Sequence, residues 1–342
     1  MTIPTSNAAN PLEAAHSTTL LAPTASAPKG GAGRSPGKLA WRRFKRDRTG
    51  VISAYVVIFF FVVGICAPLI AKLYGKDPYT TYGANDTSLL DDFGSPVLPN
   101  GGMSSDFWFG IEPQLGRDVL TFLLYGIRNS LLIATATTLL VAVIGIAVGI
   151  TAGYLGGKTD YLVGRVIDIL LAFPSTLFFI AFWPVMLSIL VSPEESTPVW
   201  LTVVSLITIM TAFGWASIAR LLRGEVLALR EREFVEAARV TGASPARIIF
   251  KELLPNLWTP ILIQATLALP AFVTAEAGLS FLGVGLTDPT PDWGVMIQRG
   301  STVYQSDITF MLFPGATMVI FVIAFNLLGD SVRDALDPKT KR

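Results

Sequence analysis

Glu236-Ala237-Ala238-Arg239-Val240-Thr241-Gly242-Ala243-Ser244-Pro245 is the stretch on which the reading of this chain turns. It is a charged segment between long apolar runs, and its turn chemistry predicts two short helices broken by a tight turn. Phe234, Ala237, Ala238 and Thr241 recur at helical spacing and make a narrow face of small residues. Gly242 stands where a helix ends on a left-handed residue, a conformation that glycine adopts at little cost. Ser244 suits the N-cap of a second helix, and Pro245 its first position, where a missing N–H costs nothing. That second helix is expected to bury Ile248, Ile249, Leu253 and Leu254 and to stop before Pro255. A plain polar linker needs none of these features; the expectation is a rigid, capped helical hairpin.

The composition around the hairpin is that of a membrane protein. Of 342 residues, 51% are hydrophobic and 15% charged, and mean hydropathy is +0.56, whereas soluble domains carry about 25% charge. A net charge of +1, without a basic run interleaved with aromatics, gives no sign of a nucleic-acid partner. One cysteine, Cys66, within an apolar run excludes an intrachain disulfide and a thiolate metal cluster. One histidine, His16, near the N-terminus excludes a histidine triad or histidine-rich metal site in the apolar body. No catalytic, cofactor-binding or metal-ligating set is expected on this chain.

Residues 1–37, rich in Ala, Ser, Thr, Pro and Gly without apolar periodicity, read as a disordered tail with no signal peptide. Residues 38–50 gather Arg42, Arg43, Lys45, Arg46 and Arg48 around Trp41 and Phe44, the pattern of a basic helix lying on the inner membrane surface. Apolar runs of about 20 residues, enough to cross ~30 Å of hydrocarbon as a helix, then predict an all-α integral membrane protein. Six spans are expected, at about 51–71, 128–152, 162–189, 199–219, 259–282 and 308–328. An acidic loop, 74–118, follows the first span, and the charged segment 220–258 follows the fourth. Cations gather near the N-terminus, in the segment from Arg220 to Lys251, and at Arg333, Lys339, Lys341 and Arg342. The positive-inside rule places both termini and the hairpin in the cytoplasm and residues 74–118 outside.

Ala152-Gly153-Tyr154-Leu155-Gly156-Gly157-Lys158-Thr159 comes close to a Walker A loop. A phosphate loop needs a strand before it and a soluble α/β domain around it; here membrane spans flank it, so it reads as a tight cytoplasmic turn. Gly145, Gly149, Gly153 and Gly157 recur every four residues, which stacks them on one helix face and invites close helix packing. Asp168 lies one turn from Arg165 in the third span and is expected to pair with it locally or, as the alternative, to line the translocation path or make an interspan polar contact. Glu276 lies deep in the fifth span and is expected to bond a neighbouring span or, as the alternative, to line a polar path. Pro174, Pro184, Pro270 and Pro314 fall within spans and are candidate kinks.

Glu236-Ala237-Ala238, Gly242 and the later Leu254-Pro255 resemble the EAA loop of the permease subunits of ABC importers. The resemblance covers roughly residues 38–338. Arg220-Leu221-Leu222-Arg223-Gly224-Glu225, Leu115-Gly116-Arg117-Asp118-Val119, Gly278-Leu279-Ser280-Phe281-Leu282-Gly283, Pro291-Asp292-Trp293-Gly294 and Asn326-Leu327-Leu328-Gly329-Asp330 are similar to the second permease subunit of the dipeptide/oligopeptide/nickel subfamily. The resemblance implies a type I importer permease of six spans with a cytoplasmic coupling helix, in a prokaryotic cytoplasmic membrane. It also implies a homologous partner permease, two ATPase subunits that bind ATP and Mg, and an extracytoplasmic solute-binding protein. To ATPase coupling it assigns Arg232, Glu233, Phe234, Glu236, Ala237, Ala238, Arg239, Gly242, Ser244 and Pro245.

One departure touches the outer side. Where the family commonly has His-Xaa-Xaa-Gly-Thr-Asp, this chain has Phe107-Trp108-Phe109-Gly110-Ile111-Glu112. Di- or oligopeptides are the expected cargo, with a nickel chelate, haem or another small solute as alternatives. A secondary transporter would need ion-coupling carboxylates at mid-membrane, for which Glu276 is the only deep candidate. An intramembrane enzyme would need histidine or paired aspartates within the spans, and the sequence offers neither.

Overall fold

A computed structural model describes residues 36–84, 86–192 and 197–336. The expected disordered tail, 1–37, lies outside the described residues but for its last positions. Helix α1 (Pro36–Arg46) is short and basic. Asp47 breaks the chain and caps α2 (Arg48–Tyr74) by accepting a hydrogen bond from the Thr49 N–H. The first span therefore starts inside the stretch expected to lie on the membrane surface.

Asp118 likewise caps α3 (Val119–Leu155), which begins well before the expected 128. Then follow α4 (Gly157–Ala172), α5 (Ser175–Leu190), α6 (Val199–Leu229), α7 (Glu233–Val240), α8 (Pro245–Phe281), α9 (Trp293–Val303) and α10 (Thr309–Leu336). Five of these are long and apolar enough to cross a membrane, or six if α4 and α5 count as one broken span.

Two expectations need correction. The third span is not one helix: α4 and α5 meet at a bend of 84°. Phe173 precedes Pro174 and is forced into extended backbone (φ −84°, ψ 131°), which ends the first helix. Nor does the helix after the hairpin stop before Pro255. Ile248–Leu253 forms a π-turn, closed by the Leu254 N–H donating to the Ile249 carbonyl. The turn shifts the hydrogen-bond register, so Pro255 falls in the first turn of the α-helical segment Leu254–Phe281, where its missing N–H costs nothing. Since α6 also continues through Arg220 to Leu229, the non-span segment expected at 220–258 shortens to 230–244.

The principal helix pair is α3 with α6, and glycine makes it possible. A Cβ added at Gly145, Gly149 or Gly153 would come within 2.8 Å of Ile218, 2.6 Å of the Ala219 carbonyl and 2.9 Å of the Arg223 carbonyl. Two backbones at this distance gain dispersion contact that side chains would prevent. Gly157 does not join the stripe. It lies past the end of α3 with φ +56°, and nothing stands within 4 Å of its Cβ position.

One apolar cluster joins α2, α9 and α10 through the edge-to-face or tilted rings of Phe60, Trp293 and Phe321, whose centroids lie 5.5 to 6.3 Å apart. A second, at the opposite end of α3, contains Ile150, Leu222, Val226, Val235, Ile248, Leu253 and Leu257.

Residues 75–118 are more than a polar loop. The described residues among them fold into a small cap with its own core of Leu90, Phe107 and Ile111, and this cap joins the end of α2 to the start of α3. The other end of the bundle holds the start of α2, the end of α10 and the hairpin: Gly50 sits against Ser331, and Arg230 reaches Gly153 at the end of α3.

Candidate functional site

Helix α7 ends as its sequence requires. The Ala243 N–H donates to the Ala238 carbonyl at 3.0 Å and the Gly242 N–H to the Arg239 carbonyl at 2.9 Å, with Gly242 at φ +81°. Ser244 Oγ accepts from the Arg247 N–H at 3.4 Å, and Pro245 opens the next helix. Glu233 and Glu236 lie in the first turn of α7 and Arg239 in its last, complementing the helix dipole at both ends.

The back of the hairpin is fixed to the bundle. Val235 is fully buried within the Ile150–Leu222–Val226–Leu257 cluster. Arg230 Nη1 donates to the Gly153 carbonyl at 3.1 Å, and the Arg239 guanidinium lies 5.7 Å from the centre of the Tyr154 ring. Three spans thus meet it: α3 and α6 by their ends, α8 by direct continuation.

The front is open. Arg232, Glu233, Phe234, Glu236, Ala237, Arg239, Gly242, Ser244 and Pro245 are exposed, and Ala238 is half-buried. Among the described residues, Arg232, Glu233 and Glu236 take part in no ion pair. A groove of about 380 Å³ runs along this face, lined by Phe234, Ala237, Ala238, Thr241, Gly242 and Arg247. Val240 and Phe250 are 82% and 67% exposed. The groove thus combines small residues with the Phe234 ring, and Arg247 and Glu252 add charges of both signs, the mixture found on docking surfaces.

Above the hairpin, a cavity of about 570 Å³ opens beside the break between α4 and α5. Phe173, Phe179, Phe213 and Phe272 line it together with aliphatic residues such as Leu170 and Leu267, and Ser175, Thr176, Ser217 and Gln264 are its polar groups. No titratable side chain lines it.

Glu276 is not on this wall. It is fully buried and faces Ser130 of α3 and Asp292 at the start of α9. Asp168 does not pair with Arg165, because the Arg165 guanidinium lies over the Tyr161 ring at 5.2 Å and Asp168 is exposed. The ion pair that α4 does form is Asp160 with Arg223 of α6, where Nη2 donates to Oδ2 at 2.8 Å and Nε to Oδ1. Sixty-three positions separate these two residues, and no local spacing announces them.

The cap carries a second network that sequence reasoning missed. Arg117 donates to Glu112 at 2.5 and 3.0 Å and to Asp288 at 2.6 Å, and Arg299 bonds the same two carboxylates at 2.9 and 2.5 Å. Glu112 and Arg117 are 0% and 2% exposed. Their two-sided pairing is what makes that burial tolerable.

Residues 145–342 match the family described as the inner membrane component of binding-protein-dependent transport systems. This chain belongs to that family. Residues 35–95 also match the N-terminal membrane domain of oligopeptide transport permease C.

The dipeptide transport system permease protein DppC of Bacillus subtilis is 36% identical over 304 residues, 89% of this chain and 86% of that one. The oligopeptide transport system permease protein OppC of the same organism is 33% identical over 89% of this chain and 90% of its own. The glutathione transport system permease protein GsiD of Escherichia coli is 35% identical over 90% and 92%. The inward-facing methionine ABC transporter MetNI, in a selenomethionine-soaked crystal form, superposes over 69% of this chain and all of its own with a TM-score of 0.52 at 21% identity. Its fold is therefore the one seen here. The chain is a multi-pass inner-membrane permease subunit of an ABC importer.

Proposed function

We propose that this subunit forms half of a translocation path for di- or oligopeptides and that the hairpin 231–254 receives the work of ATP hydrolysis from a separate ATPase. The observation that carries this reading is the asymmetry of the hairpin. Its back is locked to α3, α6 and α8, while its front presents a groove and unpaired charges to solvent. A partner that grips the front moves three spans together as a rigid body, tilting the path between inward- and outward-facing forms. The complete complex holds a homologous permease, two ATPase subunits that bind ATP and Mg, and an extracytoplasmic solute-binding protein; both termini of this chain and the hairpin face the cytoplasm.

The relatives named for dipeptides, oligopeptides and glutathione support a peptide cargo. So does the cavity: peptides share a backbone and differ in side chain, and a neutral, mainly apolar wall with a few polar groups offers no fixed charge that would select one.

Proteoliposomes containing the complete importer test both parts. ATP-dependent uptake of labelled di- and tripeptides is expected, with peptide-stimulated ATP hydrolysis. Gly242→Asp places a side chain where φ is +81° and is expected to leave an assembled complex in which hydrolysis no longer drives uptake. Normal coupling in that variant would overturn the role of the hairpin. Uptake of nickel chelates or haem to the exclusion of peptides would overturn the cargo.

A further inference from the structure

Two acidic side chains are buried together where α8, α3 and the start of α9 meet, and nothing in the coupling scheme uses them. Glu276 of α8 and Asp292, the N-cap of α9, are each 0% exposed. Asp292 Oδ1 accepts from the Val295 N–H at 2.5 Å. Neither oxygen of Glu276, nor Oδ2 of Asp292, has a hydrogen-bond partner in this geometry.

The polar groups facing Glu276 are Asp292 and the Ser130 hydroxyl of α3; those facing Asp292 are Glu276, the Ser280 hydroxyl and the backbone N–H groups of Gly294 and Val295. Both hydroxyl oxygens already accept, Ser130 from the Trp293 N–H and Ser280 from the Leu286 N–H, each at 3.2 Å. From α10 and α2 the surroundings are the apolar rings of Phe321 and Phe60, packed on Trp293. No cation faces the pair from any of these elements. Arg299, on α9 itself, is spent on Glu112 and Asp288.

Two adjacent carboxylates without a cation, in a site closed to water, cannot both stay ionised. One proton between them removes a charge and converts the repulsion into a short, charge-assisted hydrogen bond. We propose that Glu276 and Asp292 share a single proton, and that this carboxyl–carboxylate hydrogen bond is a protonation-controlled latch fastening the far end of α8 to α9. Burial, which disfavours the charged form, holds the Asp292 carboxyl above its usual range, in keeping with this arrangement.

The latch sits at a mechanically useful place. Helix α8 starts at Pro245 in the hairpin and ends at Phe281, just past Glu276. Beside the pair, Asn129 Nδ2 donates to the Pro291 carbonyl at 2.7 Å, so α9 is also held to α3. Loss of the proton leaves two facing anions and opens the α8–α9 junction. The proton site stands on this geometry alone; its effect on transport rests on the function proposed above.

Infrared difference spectroscopy on the assembled importer in lipid nanodiscs tests the site without reference to transport. The wild type is expected to show a protonated-carboxyl band that persists at neutral pH, above the ordinary carboxylate range. Glu276→Gln and Asp292→Asn should each abolish that band. The thermal midpoint should fall with rising pH in the wild type, because the folded state holds a proton that the unfolded state has released, and this slope should flatten in Glu276→Gln. If either single variant fails to assemble, the paired variant E276Q/D292N, which keeps both shapes and one amide hydrogen bond, serves in its place.

A spectrum without the band overturns the shared proton. So does a thermal midpoint that rises on addition of sodium, potassium, magnesium or calcium, which would make the site a cation site instead. If the band is present while transport is insensitive to pH, the proton site stands and its regulatory role falls. Failure of peptide uptake under every condition strikes the cargo assignment and leaves the infrared result untouched.

Discussion

In the cap, Arg117 and Glu112 are buried and bonded to each other, and Arg299 and Asp288 from beyond it complete the set; on the hairpin, Arg232, Glu233 and Glu236 are exposed and make no ion pair among the described residues. Both regions are rich in charge, and they meet opposite ends of α3. The cap pairs its buried charges, with Asp288 and Arg299 reaching in from beyond it, and has a small core of its own, so the folded chain alone determines its shape. The hairpin satisfies only its backbone, through the turn at Gly242 and the cap at Ser244, and leaves its side chains for something else. A region whose charges are paired within the fold suits a scaffold; a region that is rigid but leaves its charges unpaired suits a handle.

The sharpest way to break this contrast is to remove the guanidinium at the centre of the cap. Arg117→Ala leaves Glu112 buried with Arg299 alone and strips Phe122 of the cation 4.1 Å from its ring centre. Breaking a buried pair from one side costs about 3–5 kcal/mol. Denaturation of the purified complex in detergent should show a loss of that order, and the double variant Arg117→Met/Glu112→Leu should recover part of it. A loss under about 1 kcal/mol would mean that the network lies on the cap without holding it.

A smaller effect is expected in the rod that joins the two regions. Gly149→Val forces a Cβ to within 2.6 Å of the Ala219 carbonyl, and backbone cannot swing aside as a side chain can. Overpacking of this kind costs about 1–3 kcal/mol. Because α3 carries the cap at one end and the hairpin's Gly153 and Tyr154 contacts at the other, the variant should also impair coupled ATP hydrolysis. The same substitution at Gly157, where nothing stands within 4 Å, meets only its own φ of +56°. Its folding penalty should be the smaller of the two, which separates packing from turn geometry.

The two regions were unequally legible in the sequence, for a physical reason. The turn of the hairpin is shaped locally: a left-handed glycine, an N-cap serine and a proline at the first helical position act within four residues of one another, and each span is marked by one continuous apolar run. The break at Phe173–Pro174 was half visible, since the proline announced a kink but not one of 84°. The continuation of the helix through Pro255 was hidden, because a π-turn is a register shift with no residue signature of its own. The Arg117–Asp288 bond joins positions 171 apart, and the Glu276–Asp292 pair forms only when α9 folds back on α8 and α3. Charges that are read one helix turn at a time suggest Arg165 with Asp168; the folded chain prefers Arg223 with Asp160, because tertiary contact offers a two-bond geometry that the helix surface does not.

The smallest expected effect on folding is also the most informative about the handle. Glu236 is exposed, makes no ion pair and sits in the first turn of α7, where its charge favours the helix dipole by a few tenths of a kcal/mol. Glu236→Ala should therefore change the stability of the isolated subunit by no more than about 0.5 kcal/mol. If the front of the hairpin is a docking face, the same variant should nevertheless weaken retention of the ATPase subunits during purification and slow ATP-driven uptake. Glu236→Lys should weaken both further by reversing the charge presented to the partner. Measured side by side, the two readouts separate the possibilities. A drop in subunit stability without a change in ATPase retention would place Glu236 among the groups that complete the fold, and the hairpin would then resemble the cap.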